Sequence, residues 1–245
     1  MGLTKMLAYS DFFKMGYDDN DNPIYFPLDL VALYGPTGDY PVYSNLLDAF
    51  ALKIKQHVSA DNQAVIGIFG PTGSGKSTLG IQFCKALNKN WKLADNLLYA
   101  PNDLKKKLRD ENADPINLFD EGSVTFNSLE TTSKDGRKMS VLFDTMRTLH
   151  QISFIIMPDS GDLNKRIAKH LDFKVQCPRV APIPGFTPRG FFTVSYPIRY
   201  DNGSVYWQKM GTGIYDKLSV RTKNEYDKLK REKQREILKD FIEGD

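Results

Sequence analysis

Apolar runs of four to six residues punctuate the middle of the chain, and the stretches between them carry apolar positions at helical spacing. Ala64-Val65-Ile66-Gly67-Ile68-Phe69, Leu97-Leu98-Tyr99-Ala100, Ile116-Asn117-Leu118-Phe119, Ile152-Ser153-Phe154-Ile155-Ile156-Met157 and Phe173-Lys174-Val175-Gln176-Cys177 read as strands. Near-continuous apolar character marks strands covered on both faces, as in parallel sheets. A helix capped by Ser44 is predicted through about Val58, with Leu46, Leu47, Phe50, Ile54 and Val58 on one face. Further helices are expected from the glycine-rich turn after Phe69 to about Asn88, from Pro101-Asn102-Asp103 onward, over about Ser140 to His150, and over Asp162 to His170. Strand and helix alternate throughout, which predicts an α/β core at about residues 45–180.

The flanks read differently. Residues 1–44 are rich in Asp, Asn, Pro and Gly, the pattern of an arm packed on the core. Asp18-Asp19-Asn20-Asp21-Asn22 departs from a calcium loop, because Pro23 stands where that loop needs glycine. Residues 181–219 hold a proline-rich connection and a hairpin turning at Asp201-Asn202-Gly203, whose first arm Pro197 demotes to an edge or bulged strand. Residues 220–245 form a charged helix with sparse apolar contacts at Tyr226, Leu229, Ile237, Phe241 and Ile242, expected to be solvated or to dock a partner.

The chemistry concentrates where the first core strand ends. Gly70-Pro71-Thr72-Gly73-Ser74-Gly75-Lys76-Ser77-Thr78 has the spacing G-x-x-x-x-G-K-S between a strand and a helix. Its glycines let successive backbone N–H groups curl around phosphate, and the helix aims its positive end at the same point. Lys76 can reach the β- and γ-phosphates, and the Ser77 hydroxyl is placed to ligate Mg²⁺. Gly35-Pro36-Thr37-Gly38 repeats the opening letters but lacks the lysine and reads as a turn.

A second carboxylate-bearing strand follows. Pro115-Ile116-Asn117-Leu118-Phe119-Asp120-Glu121 has the form of a Walker B element, with Asp120 holding magnesium and Glu121 orienting a water. Glu121 favours hydrolysis over the transfer chemistry of a small-molecule kinase. The expected cofactors are therefore ATP and Mg²⁺. Lys134-Asp135-Gly136-Arg137-Lys138 lies in a polar insertion that reads equally as a pore-facing loop or a surface loop. The run Lys105-Lys106-Lys107-Leu108-Arg109 is expected on a solvated helix face rather than at a nucleic-acid contact.

Bulk properties set outer limits. The 245 residues carry a formal net charge of +3, too small to argue for nucleic acid by itself. Cys84 and Cys177 lack metal-ligand spacing and read as buried thiols of a cytosolic protein. No membrane span or signal-peptide pattern is expected.

The order of Walker A, short strand, Asp-Glu strand, arginine-bearing helix and final strand resembles the additional-strand, RecA-like P-loop ATPases over about residues 62–177. Met146-Arg147-Thr148-Leu149-His150-Gln151-Ile152-Ser153-Phe154-Ile155-Ile156 looks most like the HerA/FtsK group of DNA pumps and viral genome-packaging ATPases. The resemblance implies a three-layer fold with a mainly parallel sheet in the order 5-1-4-3-2. It also implies a homo-oligomeric ring, a hexamer, in which a neighbour's arginine completes the site; Arg147 is the first choice, then Arg166 and Arg137. Double-stranded DNA, a capsid or assembly partner, and a place in an infected cell's cytoplasm or at a virion vertex follow from the same likeness. The family's strand-end Gln is replaced here by Pro158-Asp159-Ser160, leaving Asp159 or Ser160 as sensor. Gly213-Ile214-Tyr215-Asp216-Lys217 loosely resembles a segment of zonula-occludens-toxin-like assembly ATPases, which makes a nucleotide-switch assembly factor the alternative. Tyr215 is the one residue named for the adenine pocket.

Overall fold

The computed structural model describes residues 14–17, 19–20, 23–34, 40–99, 101–110, 112–120, 149–163, 165–183 and 185–243. In chain order the strands are β1 (Lys14–Tyr17), β2 (Pro23–Tyr25), β3 (Leu30–Tyr34), β4 (Tyr40–Tyr43), β5 (Ala64–Phe69), β6 (Leu97–Leu98), β7 (Ile116–Phe119), β8 (Ile152–Met157), β9 (Phe173–Gln176), β10 (Phe191–Arg199) and β11 (Val205–Ile214). The helices are α1 (Leu46–Ser59), α2 (Lys76–Leu87), α3 (Leu93–Asn96), α4 (Pro101–Lys107), α5 (Lys165–Ala168) and α6 (Val220–Glu243).

β1 and β2 form a small antiparallel hairpin, and the other nine strands make one sheet in the order β3-β4-β11-β10-β9-β5-β8-β7-β6. Its central part, β9-β5-β8-β7-β6, is parallel throughout and is the expected 5-1-4-3-2 order. Every residue of β5 and β8 is buried. The alternation of a strand's side chains splits them between two cores. Ala64, Ile66, Ile68, Ile152, Phe154 and Ile156 face one cluster, to which α1 and α2 contribute Phe50, Ile54, Leu79 and Phe83. Val65, Phe69, Ile155 and Met157 face the other, which holds Leu104 of α4 and Ile167 of α5. These are the three layers. Phe83 centres the larger core, edge-on to Phe50 and Phe192 at 5.4 Å each and stacked on Phe154 at 5.7 Å.

The flanks extend the sheet. β10 runs antiparallel to β9 and β11, and β11 runs parallel to β4. The proline-bearing arm is therefore internal, yet β9 reaches only as far as Ser195. Pro197 lies beyond that point, opposite Trp207 of β11, where its missing N–H costs no ladder bond to β9. The register shift between Val194 and Ser195 is the expected bulge.

Three local expectations change. Asn45, not Ser44, precedes α1, and its side chain instead accepts from the Asp29 amide at 2.9 Å and donates to the Pro27 carbonyl at 2.7 Å. The predicted 162–170 helix shortens to α5, preceded by a 3₁₀ turn at Ser160–Asp162. Lys107 is not solvated: its ammonium donates to the Ile116 carbonyl at 3.1 Å and to Asn117 Oδ1 at 2.7 Å. Among the described residues, no helix is long and apolar enough to cross a membrane.

Candidate nucleotide site

The loop between β5 and α2 needs its glycines for two separate reasons. Gly70 has φ +151°, and a Cβ there would lie 2.7 Å from the Cys177 carbonyl oxygen, so β9 could not close against the loop. Gly75 has φ +92°, and a Cβ there would run into the Tyr215 hydroxyl. Lys76 opens α2 and folds back across its own loop, donating to the carbonyls of Gly70 at 2.7 Å and Pro71 at 2.9 Å. Burial lowers its pKa, with Cys177 and Asp120 pulling the other way.

Asp120 lies at the C-terminal end of β7 and is 2% exposed. Its two oxygens divide their work. Oδ1 accepts the Ser77 hydroxyl at 2.9 Å, while Oδ2 accepts the Tyr226 hydroxyl at 2.5 Å and faces the Lys230 ammonium at 3.5 Å. Burial, then the Asp120 charge, pushes the Tyr226 phenol well above its ordinary pKa, so it stays a donor. α6 is thus laid across the site. Its first turn is tied down by Lys85 donating to Thr222 at 2.8 Å, and Lys233 sits 3.7 Å from Asp103.

Tyr215 braces the loop from behind by donating to the Ser74 carbonyl at 3.0 Å. The residue named for the adenine pocket thus has its hydroxyl engaged by the loop backbone. Cys177 packs beneath the same loop, and burial raises its thiol pKa to about 11, which keeps it protonated. Cys84 is fully buried in the larger core, and both thiols are free.

The loop, Asp120, Pro158, Arg189, Tyr226 and Lys230 line a cavity of about 420 Å³, the size class of small-molecule sites. Its donor set fits a magnesium nucleotide. One hydroxyl and one carboxylate meet beside a lysine and a helix N-terminus, and no group of three or more acidic, His or Cys side chains capable of holding a metal alone occurs among the described residues. Magnesium is held this way, by one or two protein oxygens plus phosphate and water.

Glu121, Arg137 and Arg147 lie outside the described residues, as do the polar insertion expected over Ser128 to Met139, residues 140–148 of the helix expected before β8 and the turn expected at Gly35–Gly38; of Arg166 only the backbone is described. Asp159 accepts from the Gly161 amide at 2.8 Å, and Ser160 accepts from Lys174 at 2.9 Å. Both stand outside the cavity that Pro158 lines. His150 sits 3.4 Å from Asp61 at the opposite end of β8. Sequence reasoning missed Tyr226, Lys230 and Arg189. The only signal was the i, i+4 spacing of Tyr226 and Lys230, which puts both on one helix face.

A parallel 5-1-4-3-2 sheet with this loop after its first strand, and an aspartate on the third strand meeting the loop's serine, is the fold of the P-loop NTPases. No family model matches the chain, and no curated protein matches it. Among solved structures, it is similar to the N-terminal domain of zonular occludens toxin from Neisseria meningitidis, at 14% identity and a TM-score of 0.37, covering 64% of this chain and 96% of that one. It is similar also to the genome packaging NTPase of Sulfolobus turreted icosahedral virus 2, solved with ATPγS, at 12% identity and 0.39, covering 61% and 97%. A KaiC-like protein from Pyrococcus horikoshii matches at 10% identity and 0.33, covering 78% and 100%.

Proposed function

We propose that the chain is a magnesium-dependent ATPase that couples hydrolysis to the movement of double-stranded DNA, in packaging of a viral or mobile-element genome. The observation that carries the ATPase reading is the Ser77–Asp120 contact of 2.9 Å at the mouth of the loop holding Lys76. Backbone amides of residues 72–78 and Lys76 would grip the triphosphate. Ser77 and Asp120 would hold the magnesium, which when bound neutralises charge on the β- and γ-phosphates. Glu121 follows Asp120 directly and would orient the attacking water. The DNA half rests on the resemblance carried by Met146 to Ile156. In that reading the working unit is a hexameric ring, and a neighbour's Arg147, or else Arg166 or Arg137, completes the site.

Phosphate release measured with and without double-stranded DNA, alongside the mass of the ATP-bound assembly, tests this. A ring with DNA-stimulated turnover supports the motor. Glu121→Gln should keep ATP binding and lose hydrolysis, and normal turnover in that variant would overturn its role.

One observation favours a second reading, a nucleotide switch in assembly. Asp120 already has Tyr226 and Lys230 against its metal-facing carboxylate, a resting arrangement that nucleotide would have to rearrange. A switch binds ATP tightly, turns over negligibly and ignores DNA.

A further inference from the structure

We propose that Lys230 of α6 is a second phosphate-binding lysine, acting within its own chain and recognising the terminal phosphate of a bound nucleoside triphosphate; this rests on the nucleotide-site reading above. Three observations carry it. Lys230 lines the same cavity as Thr72, Gly73, Lys76 and Ser77. Its ammonium stands 3.5 Å from Asp120 Oδ2, on the carboxylate whose other oxygen takes the Ser77 hydroxyl. It is also held there, donating to the Tyr226 hydroxyl at 3.3 Å from a helix anchored through Thr222 and Lys233.

The charge balance then dictates the exchange. With no metal on the Ser77–Asp120 couple, the ammonium of Lys230 lies 3.5 Å from Asp120 Oδ2 and balances its charge. A divalent cation seated on that couple takes over this role and repels the ammonium. The phosphate end of the nucleotide that arrives with the metal enters the cavity that Lys230 lines, and offers the ammonium an anion in exchange. A flexible four-carbon stem lets the ammonium make that short move while α6 stays in place. A diphosphate ends one phosphate short and offers Lys230 far less, so the residue would report the presence of the third phosphate.

Equilibrium titrations with fluorescent ADP and a non-hydrolysable ATP analogue, in magnesium, test this on the full chain. One charge-assisted contact is worth about tenfold or more in affinity. Lys230→Gln should therefore weaken the triphosphate analogue by about tenfold and change ADP by less than about twofold, while Lys230→Arg restores most of the difference. Equal loss for both nucleotides would overturn the proposal, because it would mean that the lysine only seats the helix. No loss for either would overturn it as well. In the wild-type chain, hydrogen exchange across residues 220–236 should slow more with the triphosphate analogue than with ADP, and equal slowing would count against the proposal. Failure of the parent reading looks different: wild type would bind neither nucleotide, and Lys76→Ala would change nothing.

Discussion

Ser77 and Asp120 stand 43 positions apart in the chain, and the serine hydroxyl donates to the carboxylate at 2.9 Å. They meet because β8 lies between β5 and β7, so the first turn of α2 passes over β8 to reach the end of β7. Asp120→Asn keeps an oxygen for Ser77 but loses the charge that a hard cation needs. Wild type is expected to gain about tenfold or more in nucleotide affinity when magnesium replaces EDTA, a charge-assisted interaction's share. The variant should gain less than about twofold by the same scale. Paired titrations with a fluorescent nucleotide check it, and an undiminished magnesium gain would remove Asp120 from the site.

The brace behind the loop makes a second expectation. Tyr215→Phe keeps the ring and removes one hydrogen bond to Ser74, a loss of about 1 kcal/mol, or roughly 2–4 °C in Tm for a chain of this size. Gly75→Ala combines a left-handed φ of +92° with a collision against that same hydroxyl and should abolish nucleotide binding. In the double variant the collision is gone but the backbone strain remains, so binding should return in part. Nucleotide titration and thermal melts of the three variants decide it. Full additivity of the two single effects would mean the hydroxyl and the loop are uncoupled.

Core stability should depend heavily on one ring. Phe83 contacts Phe50, Phe154 and Phe192, which come from a helix and two different strands. Phe83→Ala is expected to cost about 3–5 kcal/mol, and Phe83→Leu distinctly less. Urea unfolding measures both, and a loss below about 1 kcal/mol for the alanine variant would mean the site collapses to fill the cavity.

Local signals were enough for the glycine loop and the Asp120 strand of the candidate site. The glycine loop and the Asp120 strand each carry their chemistry within a few neighbouring residues, and the all-apolar runs of β5 and β8 announce strands covered on both faces. Tyr226 and Lys230 reach Asp120 across 106 and 110 positions, and nothing in a charged helix indicates which core face it will cover. The same applies to β3 and β4, which join the sheet through β11, and to the hairpin that joins it through β9. Lys107 was misread because a run of lysines on a short helix looks solvated, and only the fold brings Asn117 and the Ile116 carbonyl beneath the last of them.

That lysine gives stability a pH dependence whose sign can be worked out. Burial lowers the Lys107 pKa from its ordinary 10.5 to about 8, against the opposing pull of Asp114. Below pH 8 the lysine is charged in both folded and unfolded chains, and the folded state bears the full cost of burying the charge. Between about pH 8 and 10.5 the unfolded chain binds more protons than the folded one, so stability rises with pH. Lys107→Met lacks the titration, and comparing the two proteins cancels every other group they share. Relative to the variant, wild type should gain about 2 kcal/mol between pH 7.5 and 10, at about 1.36 kcal/mol per pH unit across the steep part. Urea midpoints at half-unit intervals would show it. A difference that stayed flat with pH would mean the ammonium keeps its water in the fold, and that Asn117 and the Ile116 carbonyl hold a hydrated cation.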